Sequence, residues 1–164
     1  MSRVKDLNKL VNKKLKVMED RKQRDSALIH LHGVALAAVL IAEKRGLDSE
    51  LAEMAGVMHD LGAYLFKSYD DHAHRGAKVA VEILKELGAT SEEENRIISS
   101  MIYHHDDKAS VDSPMDEVLK DADVFHHCFG DLSKPVKPKE IKRFNALIQE
   151  FGLKTAPAEE KWGL

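Results

Sequence analysis

Apolar residues recur at helical spacing along most of this chain, with charged residues between them. Residues 4–18 predict an amphipathic first helix with lysines between its apolar positions, which are Val4, Leu7, Leu10, Val11, Leu15 and Met18. Residues 26–45 predict a second helix that is apolar on nearly every side from Ala27 to Ala42. A helix of that kind belongs at the centre of a bundle.

Capping residues and glycines divide the rest of the chain into further helices. A third helix is predicted over residues 49–61, after Gly46 and the Leu47-Asp48-Ser49 staple and cap, and a fourth begins at Asp70 or Asp71 and ends at Gly88. A fifth helix is predicted over residues 97–105, after the capping box of Ser91 and Glu94, and a sixth begins at Ser113-Pro114. A loop over residues 130–139 and a last helix over residues 139–152 complete the prediction.

No segment alternates as a β-strand would. The sequence therefore predicts an all-α, single-domain helical bundle of about six to seven helices. Residues 1–20 are expected to pack on this bundle as an N-terminal amphipathic helix, and residues 21–152 are expected to form the bundle itself. Residues 153–164 are expected to be a C-terminal tail from which Trp162 can dock on the bundle.

Composition narrows the class of protein. The chain has 164 residues, a formal net charge of −3 and a pI near 6.3, so nothing attracts it generally to a nucleic-acid polymer or an anionic membrane. The lone Cys128 excludes an internal disulfide framework and is typical of a reducing cytoplasm, where we expect the protein to reside. The N-terminus lacks the apolar run of a signal peptide, and the apolar stretch Val34–Ala42 is too short to span a bilayer.

The stretch GVMHDLG, residues 56–62, places an imidazole and a carboxylate at the end of an apolar segment. A buried carboxylate is costly unless it is paired, hydrogen-bonded or bound to a cation. Seven of the nine histidines lie near helix ends or on inward faces: His30, His32, His59, His72, His104, His105 and His126. Clusters of histidine and aspartate on separate helices are how bundles build metal sites. Such ligands suit divalent Mn, Fe, Co, Ni, Mg or Zn, while the absence of a cysteine cluster argues against structural zinc.

Four residues in order, His30, His59-Asp60 and Asp123, resemble the H…HD…D signature of the HD-domain superfamily of metal-dependent phosphohydrolases. In that family the first histidine stands four residues before a Val-Ala pair, and His30 has this relation to Val34-Ala35 whereas His32 does not. The segment LAEMAGVMHDLG is similar to the family's helix that ends in HD, and LKDADVFHH is similar to its last aspartate segment. The likeness spans residues 26–127.

The resemblance implies a helical bundle around a divalent cation held by His30, His59, Asp60 and Asp123. Members that hold two metals take the second ion with positions matched here by His72, His104 and His105; the alternative is that these three contact ligands or substrate around one ion. We expect His126 and His127 to lie beside Asp123 as outer partners and His74 to face solvent. Asp121 is a candidate hydrogen-bond partner of a ligand imidazole.

The chemistry implied is hydrolysis of a phosphoester of a small molecule such as a nucleotide. The cation lowers the pKa of a bound water towards neutrality, which yields a hydroxide nucleophile, and Asp60 is best placed to orient that water. Candidates for phosphate contact are Arg24, Lys67 and Arg75. Two alternatives stay open: a diiron oxygenase built from the same ligand positions, and a sensor in which a metal organises a ligand pocket. The pattern does not reveal the substrate or the oligomeric state.

Overall fold

The computed structural model of this protein describes residues 2–158, which form eight α-helices and one short 3-10 helix. The α-helices are α1 (Arg3–Leu15), α2 (Arg21–Arg45), α3 (Ser49–Met58), α4 (Leu61–Phe66), α5 (His72–Leu87), α6 (Glu92–His104), α7 (Pro114–Phe129) and α8 (Ile141–Phe151), with the 3-10 turn at Pro138–Glu140. The described residues contain no strand, so the all-α prediction is confirmed. The predicted docking of Trp162 lies outside the described residues.

The predicted third helix over residues 49–61 is wrong at its carboxyl end. The helix ends at Met58, and a separate helix, α4, begins at Leu61, which adds one helix to the expected set. Asp60 lies between them with φ −100° and ψ 8°, outside helical geometry. Because the helix is interrupted here, the side chains of His59 and Asp60 are both buried although the two residues are adjacent in sequence.

Caps fix most of the helix ends where the sequence placed them. Both capping boxes form, with Ser91 and Glu94 opening α6 and Ser113 and Asp116 opening α7. Asp71 stands before α5 as predicted, but it makes no capping hydrogen bond; its carboxylate contacts His74 Nδ1 at 2.6 Å instead. The first turn of α5 therefore has no capping hydrogen bond from the Asp71 side chain.

The core is built around α2, α3 and α7, with α5 and α6 completing the bundle. Helix α1 lays one face on α3 and α5, and its buried residues are Val4, Leu7, Val11 and Leu15. Its amino end is also held by charge, because Arg3 forms ion pairs with Glu50 of α3 and Glu94 of α6. The first helix is thus attached to the bundle both by apolar contacts and by ion pairs.

Helix α2 is less enclosed than its apolar sequence predicted. It buries one side, but Ile29, Leu36 and Leu40 are exposed along the other. Within residues 2–158 it is also the one helix long and apolar enough, by length and composition, to cross a membrane. The core helix of a folded domain passes the same test, and α2 packs directly on α3 and α7.

Two glycines bring α4 and α5 into backbone contact. A Cβ added at Gly62 would lie 2.2 Å from the carbonyl oxygen of His72 and 2.6 Å from the nitrogen of Gly76. A Cβ added at Gly76 would lie 3.1 Å from the carbonyl oxygen of His59. Because side chains would hold the helices apart here, the glycines are what place the start of α5 beside the His59–Asp60 turn.

We expect Gly62→Ala to destabilise the protein by about 2 kcal/mol, since backbone atoms must move to admit the methyl group. The same exchange at an unobstructed helix position would stabilise by about 1 kcal/mol, so the sign itself reports the close contact. Urea denaturation measures the change. Lys78→Ala, at an exposed position of α5, is the control and should stay within about 0.5 kcal/mol of the parent. An unchanged or raised stability of Gly62→Ala would contradict the contact.

Candidate metal centre

Five segments of the chain meet at one cluster of imidazoles and carboxylates. The cluster takes His30 from α2, His59 and Asp60 from the turn between α3 and α4, His72 from the start of α5, His105 from the end of α6, and Asp123 from α7. All of these except His30 are buried, and His30 is nearly so. The sequence prediction brought the same residues together apart from the choice between His104 and His105.

The first half of the cluster lies around His30. Its Nε2 is 3.0 Å from Nε2 of His59, 3.4 Å from Oδ2 of Asp60 and 3.5 Å from Oδ1 of Asp123. His59 Nε2 is 3.7 Å from Asp60 Oδ2 and 3.8 Å from Asp123 Oδ1. Two nitrogens and two oxygens from three different places in the sequence therefore converge on one point.

The second half lies on the other oxygen of Asp60. Its Oδ1 is 3.4 Å from Nε2 of His72 and 3.4 Å from Nε2 of His105, and these two nitrogens are 3.2 Å apart. Asp60 thus presents Oδ2 to the first group and Oδ1 to the second. One carboxylate joins two clusters of possible metal ligands.

The protonation of the imidazoles follows from their other ring nitrogens. Nδ1 of His59 lies 2.8 Å from the carbonyl oxygen of Gly56, and Nδ1 of His72 lies 2.8 Å from that of Tyr69. Nδ1 of His105 is likewise 2.7 Å from a carbonyl oxygen, that of residue 102. A carbonyl only accepts, so each Nδ1 donates its proton to that oxygen and each Nε2 is the ring nitrogen that faces the cluster.

A cation fits this arrangement. In the second group, His72 Nε2, His105 Nε2 and Asp60 Oδ1 lie within 3.2 to 3.4 Å of one another. In the first group, Asp123 Oδ1 is buried without a hydrogen-bond partner. Buried acceptors that face one another are costly unless a positive charge lies between them. The donor set, neutral imidazole nitrogen with carboxylate oxygen, is the one that first-row divalent metals favour.

The ionisation of the site agrees with this reading. Burial lowers the pKa of His59 to about 3, which keeps its ring neutral and able to bind a metal. Burial raises the pKa of Asp123, but the ammonium of Lys108 and the neighbouring imidazoles of His59, His127 and His105 together outweigh it and hold that pKa well below the usual value. The aspartate is therefore ionised and the histidine is not, as ligands must be.

His30 has no backbone acceptor for Nδ1 and uses another histidine. The Nδ1 of His30 lies 3.0 Å from Nδ1 of His126. Burial is the main cause that lowers the pKa of His126 to about 4. The neutral His126 can accept the Nδ1 proton of His30 and leave the Nε2 lone pair aimed at the cluster. Gly33 makes room for that ring, because a Cβ there would lie 2.0 Å from His126.

His127 forms the outer wall of the first group. Its ring stacks on that of His30 with centroids 5.3 Å apart, and its Nε2 is 3.3 Å from Oδ1 of Asp123. Its Nδ1 is hydrogen-bonded to Glu140 at 3.0 Å. The expectation that His126 and His127 lie beside the ligand positions is thus met in position, and His127 is close enough to join His30 and Asp123 in a third possible group of ligands.

Several polar candidates from the sequence lie outside the cluster. His104 turns away, with Nδ1 3.1 Å from the carbonyl oxygen of Ser100 and 3.6 Å from Asp116. His32 and His74 are exposed. Asp121 does not reach an imidazole as expected, because its oxygens are held by Arg45 and Arg143 at 2.7 and 2.8 Å. Residues two apart on a helix face different sides, which separates Asp121 from Asp123 and His32 from His30.

A cavity of about 1290 Å³ opens onto both groups of the cluster. Of the predicted phosphate contacts, Lys67 lines this cavity. Arg24 does not, because it donates to the carbonyl oxygen of Met18 and braces the turn before α2. Arg75 does not either; it donates to the carbonyl oxygen of Ser68 at 2.7 Å.

Two residues that the sequence reading missed stand out at the site. Tyr64 lines the cavity and lies four residues after Asp60. Its position could have been predicted only if α4 had been recognised as a separate helix that begins after Asp60. Burial and Asp60 raise its pKa, so its hydroxyl keeps the proton and can donate. Lys108, which is buried against Asp123, follows α6 in a non-helical segment where no periodicity marks an inward position.

Comparisons with known proteins agree with the geometry. Over 146 residues the chain is 24% identical to the Bacillus subtilis (strain 168) protein named "Putative phosphohydrolase YueE", covering 76% of this chain and 83% of that one. It is 38% identical over 81 residues to Ribonuclease Y of Helicobacter pylori (strain ATCC 700392 / 26695), which is 49% of this chain. That match spans only 14% of Ribonuclease Y. No solved structure matches the chain significantly.

The sequence model of one family covers most of the bundle. It is that of the HD domain, and it matches residues 27–127, from the start of α2 to the end of α7. The matched stretch contains every member of the His–Asp cluster described above. The chain belongs to the HD-domain family.

Proposed function

We propose that this protein is a metal-dependent phosphohydrolase that cleaves a phosphoester of a small molecule. One observation carries the proposal: imidazole nitrogens and carboxylate oxygens converge in two groups that share Asp60 and open onto a cavity. Membership of the HD-domain family and the likeness to a protein named as a phosphohydrolase support the general activity.

The proposed ligands follow the two groups. His30, His59, Oδ2 of Asp60 and Oδ1 of Asp123 hold the first cation. His72, His105 and Oδ1 of Asp60 hold the second. Of the two roles that the sequence left open for the additional histidines, we therefore propose metal ligation, in a site for two ions that does not include His104.

Residues that line the cavity would complete the chemistry of phosphoester cleavage. A divalent cation in such a site makes a water acidic near neutral pH and polarises a phosphoryl oxygen. Asp60 keeps the two halves of the site at a fixed separation because both of its oxygens are engaged. The Tyr64 hydroxyl keeps its proton and can donate to a phosphate oxygen, and Lys67 supplies a positive charge at the rim.

The proposed substrate is a phosphorylated small molecule of nucleotide size. The cavity exceeds the range of roughly 300–1,000 Å³ that is common for small-molecule sites, so it has room for more than a simple phosphate ester. The chain carries a net negative charge, which does not favour the backbone of a nucleic-acid polymer. The likeness to Ribonuclease Y is confined to a small part of that protein.

A second candidate function rests on the number of ligands. Six residues converge as two groups around one shared carboxylate, and this is also the set that the oxygenase alternative requires: His30, His59, Asp60, His72, His105 and Asp123. Iron is among the metals that such donors accept. In that case the protein, loaded with two irons, consumes O₂ in the presence of a small hydroxylated substrate and releases no phosphate.

His30→Ala should lower the affinity for Mn²⁺ by at least about 100-fold, because it removes the nitrogen closest to the other three ligands. His32→Ala is the matched control: it removes an exposed histidine of the same helix and should leave the affinity unchanged. Titration followed by the electron paramagnetic resonance (EPR) signal of free Mn²⁺ measures both. Equal losses in the two variants would overturn the assignment of α2.

His105→Ala should reduce the number of tightly bound ions from two to one, since His72 and Asp60 Oδ1 alone make a weak site. His104→Ala should still bind two, because that ring contacts Ser100 and Asp116 instead. Elemental analysis of protein equilibrated with Mn²⁺ or Co²⁺ gives the count. A count of two ions in His105→Ala, or of one in His104→Ala, would contradict the second group.

The activity itself is tested with a panel of phosphomonoesters and cyclic nucleotides in the presence of Mn²⁺, Co²⁺ or Ni²⁺. We expect phosphate release that a chelator abolishes and that Asp60→Asn lowers by at least about 100-fold. His74→Ala, at an exposed position, is the control and should keep the activity. Phosphate release that persists without metal would refute the proposal, and O₂ consumption by the iron-loaded protein without phosphate release would establish the second candidate.

A further inference from the structure

Lys108 is a buried cation directly behind a proposed metal ligand. Its side chain is 1% exposed, and its Nζ lies 2.6 Å from Oδ2 of Asp123. The same ammonium donates to the carbonyl oxygen of His105 at 2.7 Å and approaches that of Lys120 at 3.4 Å. All three of its protons therefore have acceptors, and one of those acceptors is the carboxylate whose other oxygen faces the first group.

The backbone that carries Lys108 is held in place from several sides. The Asp107 carboxylate accepts from the amides of Ala109 and Ser110. Arg143 donates to the carbonyl oxygen of Lys108 at 2.9 Å, and Lys120 donates to that of Ser110 at 2.9 Å. Because these contacts do not involve the cluster, the ammonium is positioned by the fold and not by a bound cation.

We propose that Lys108 is a built-in counter-ion that competes with the metal for the charge of Asp123 and limits that residue to one ligating oxygen. The inference rests on the proposed function only in that a divalent cation binds the cluster. In the metal-free protein the ammonium of Lys108 compensates the negative charge of the buried Asp123 carboxylate. In the loaded protein it lies close to the cation and repels it, and it keeps Oδ2 from turning towards the ion.

The competing explanation gives the opposite sign. If Lys108 only fixes the orientation of Asp123, its removal loosens a ligand and weakens metal binding. If it acts as a counter-ion, its removal relieves repulsion in the loaded state and leaves Asp123 unpaired in the metal-free state. Both of those changes favour the loaded state. The direction in which the metal affinity moves therefore distinguishes a counter-ion from a simple anchor.

The variants are chosen to separate charge from hydrogen bonding. Lys108→Gln removes the charge but keeps an amide donor for Asp123, and Lys108→Arg keeps the charge. Lys120→Gln is the matched control, since Lys120 is another fully buried lysine nearby, paired with Asp112 and Glu117 rather than with the cluster. Each full-length variant is titrated with Mn²⁺, followed by the EPR signal of the free ion, and its thermal unfolding is recorded with and without Mn²⁺.

We expect Lys108→Gln to bind Mn²⁺ roughly tenfold more tightly or better than the parent, with a lower melting temperature that Mn²⁺ restores. Lys108→Arg should stay within about threefold of the parent, and Lys120→Gln should lose stability without a gain in Mn²⁺ affinity. An unchanged or weaker affinity in folded Lys108→Gln overturns the inference, as does an equal gain in Lys120→Gln. If Lys108→Gln does not fold, Lys108→Met takes its place under the same criteria.

These outcomes are distinguishable from failure of the proposed function, because no substrate is involved. A parent protein that binds no divalent cation overturns both proposals. A parent that binds Mn²⁺ but releases no phosphate from any ester affects the proposed function alone, and the affinities of the Lys108 variants still decide the role of this lysine.

Discussion

The structure depends on a buried convergence of acceptor atoms around one carboxylate. The two oxygens of Asp60 lie 3.4 Å from imidazole nitrogens that come from three other segments of the chain. Burying so many imidazole and carboxylate groups together is costly unless a positive charge compensates them. Such a cluster is stable only where the fold also forces the groups together. The caps, the glycine contacts and the buried lysine all serve that one requirement.

Much of the fold was readable because it follows from periodicity and capping. The carboxyl end of α2 lies at the glycine that indicated it, and the amino ends of α6 and α7 lie at their capping boxes. The choice of His30 over His32 followed from helix geometry, since residues two apart cannot face one point. The break at Asp60 was not readable, because the hydrophobic pattern continues across it and only the backbone angles interrupt the helix.

The parts of the site that could not be read are those set by side-chain direction or by segments without periodicity. His104 and His105 are adjacent at a helix end, and the final turn decides which one points inward. Arg24 and Arg75 have the charge that a phosphate contact needs, but both are engaged by carbonyl oxygens of the backbone. Lys108 is followed by an Asx-type turn, and its burial depends on contacts with α7 and α8 that no local pattern encodes.

Gly33 carries a further consequence for how this sequence can change. It lies one helical turn after His30, and the ring of His126, which is bonded to His30, occupies the space that a side chain at position 33 would need. A side chain at Gly33 would displace that ring, and a smaller residue at 126 would leave a void there. Positions 30, 33 and 126 are therefore constrained together: substitution at any one of them alters which changes the other two tolerate.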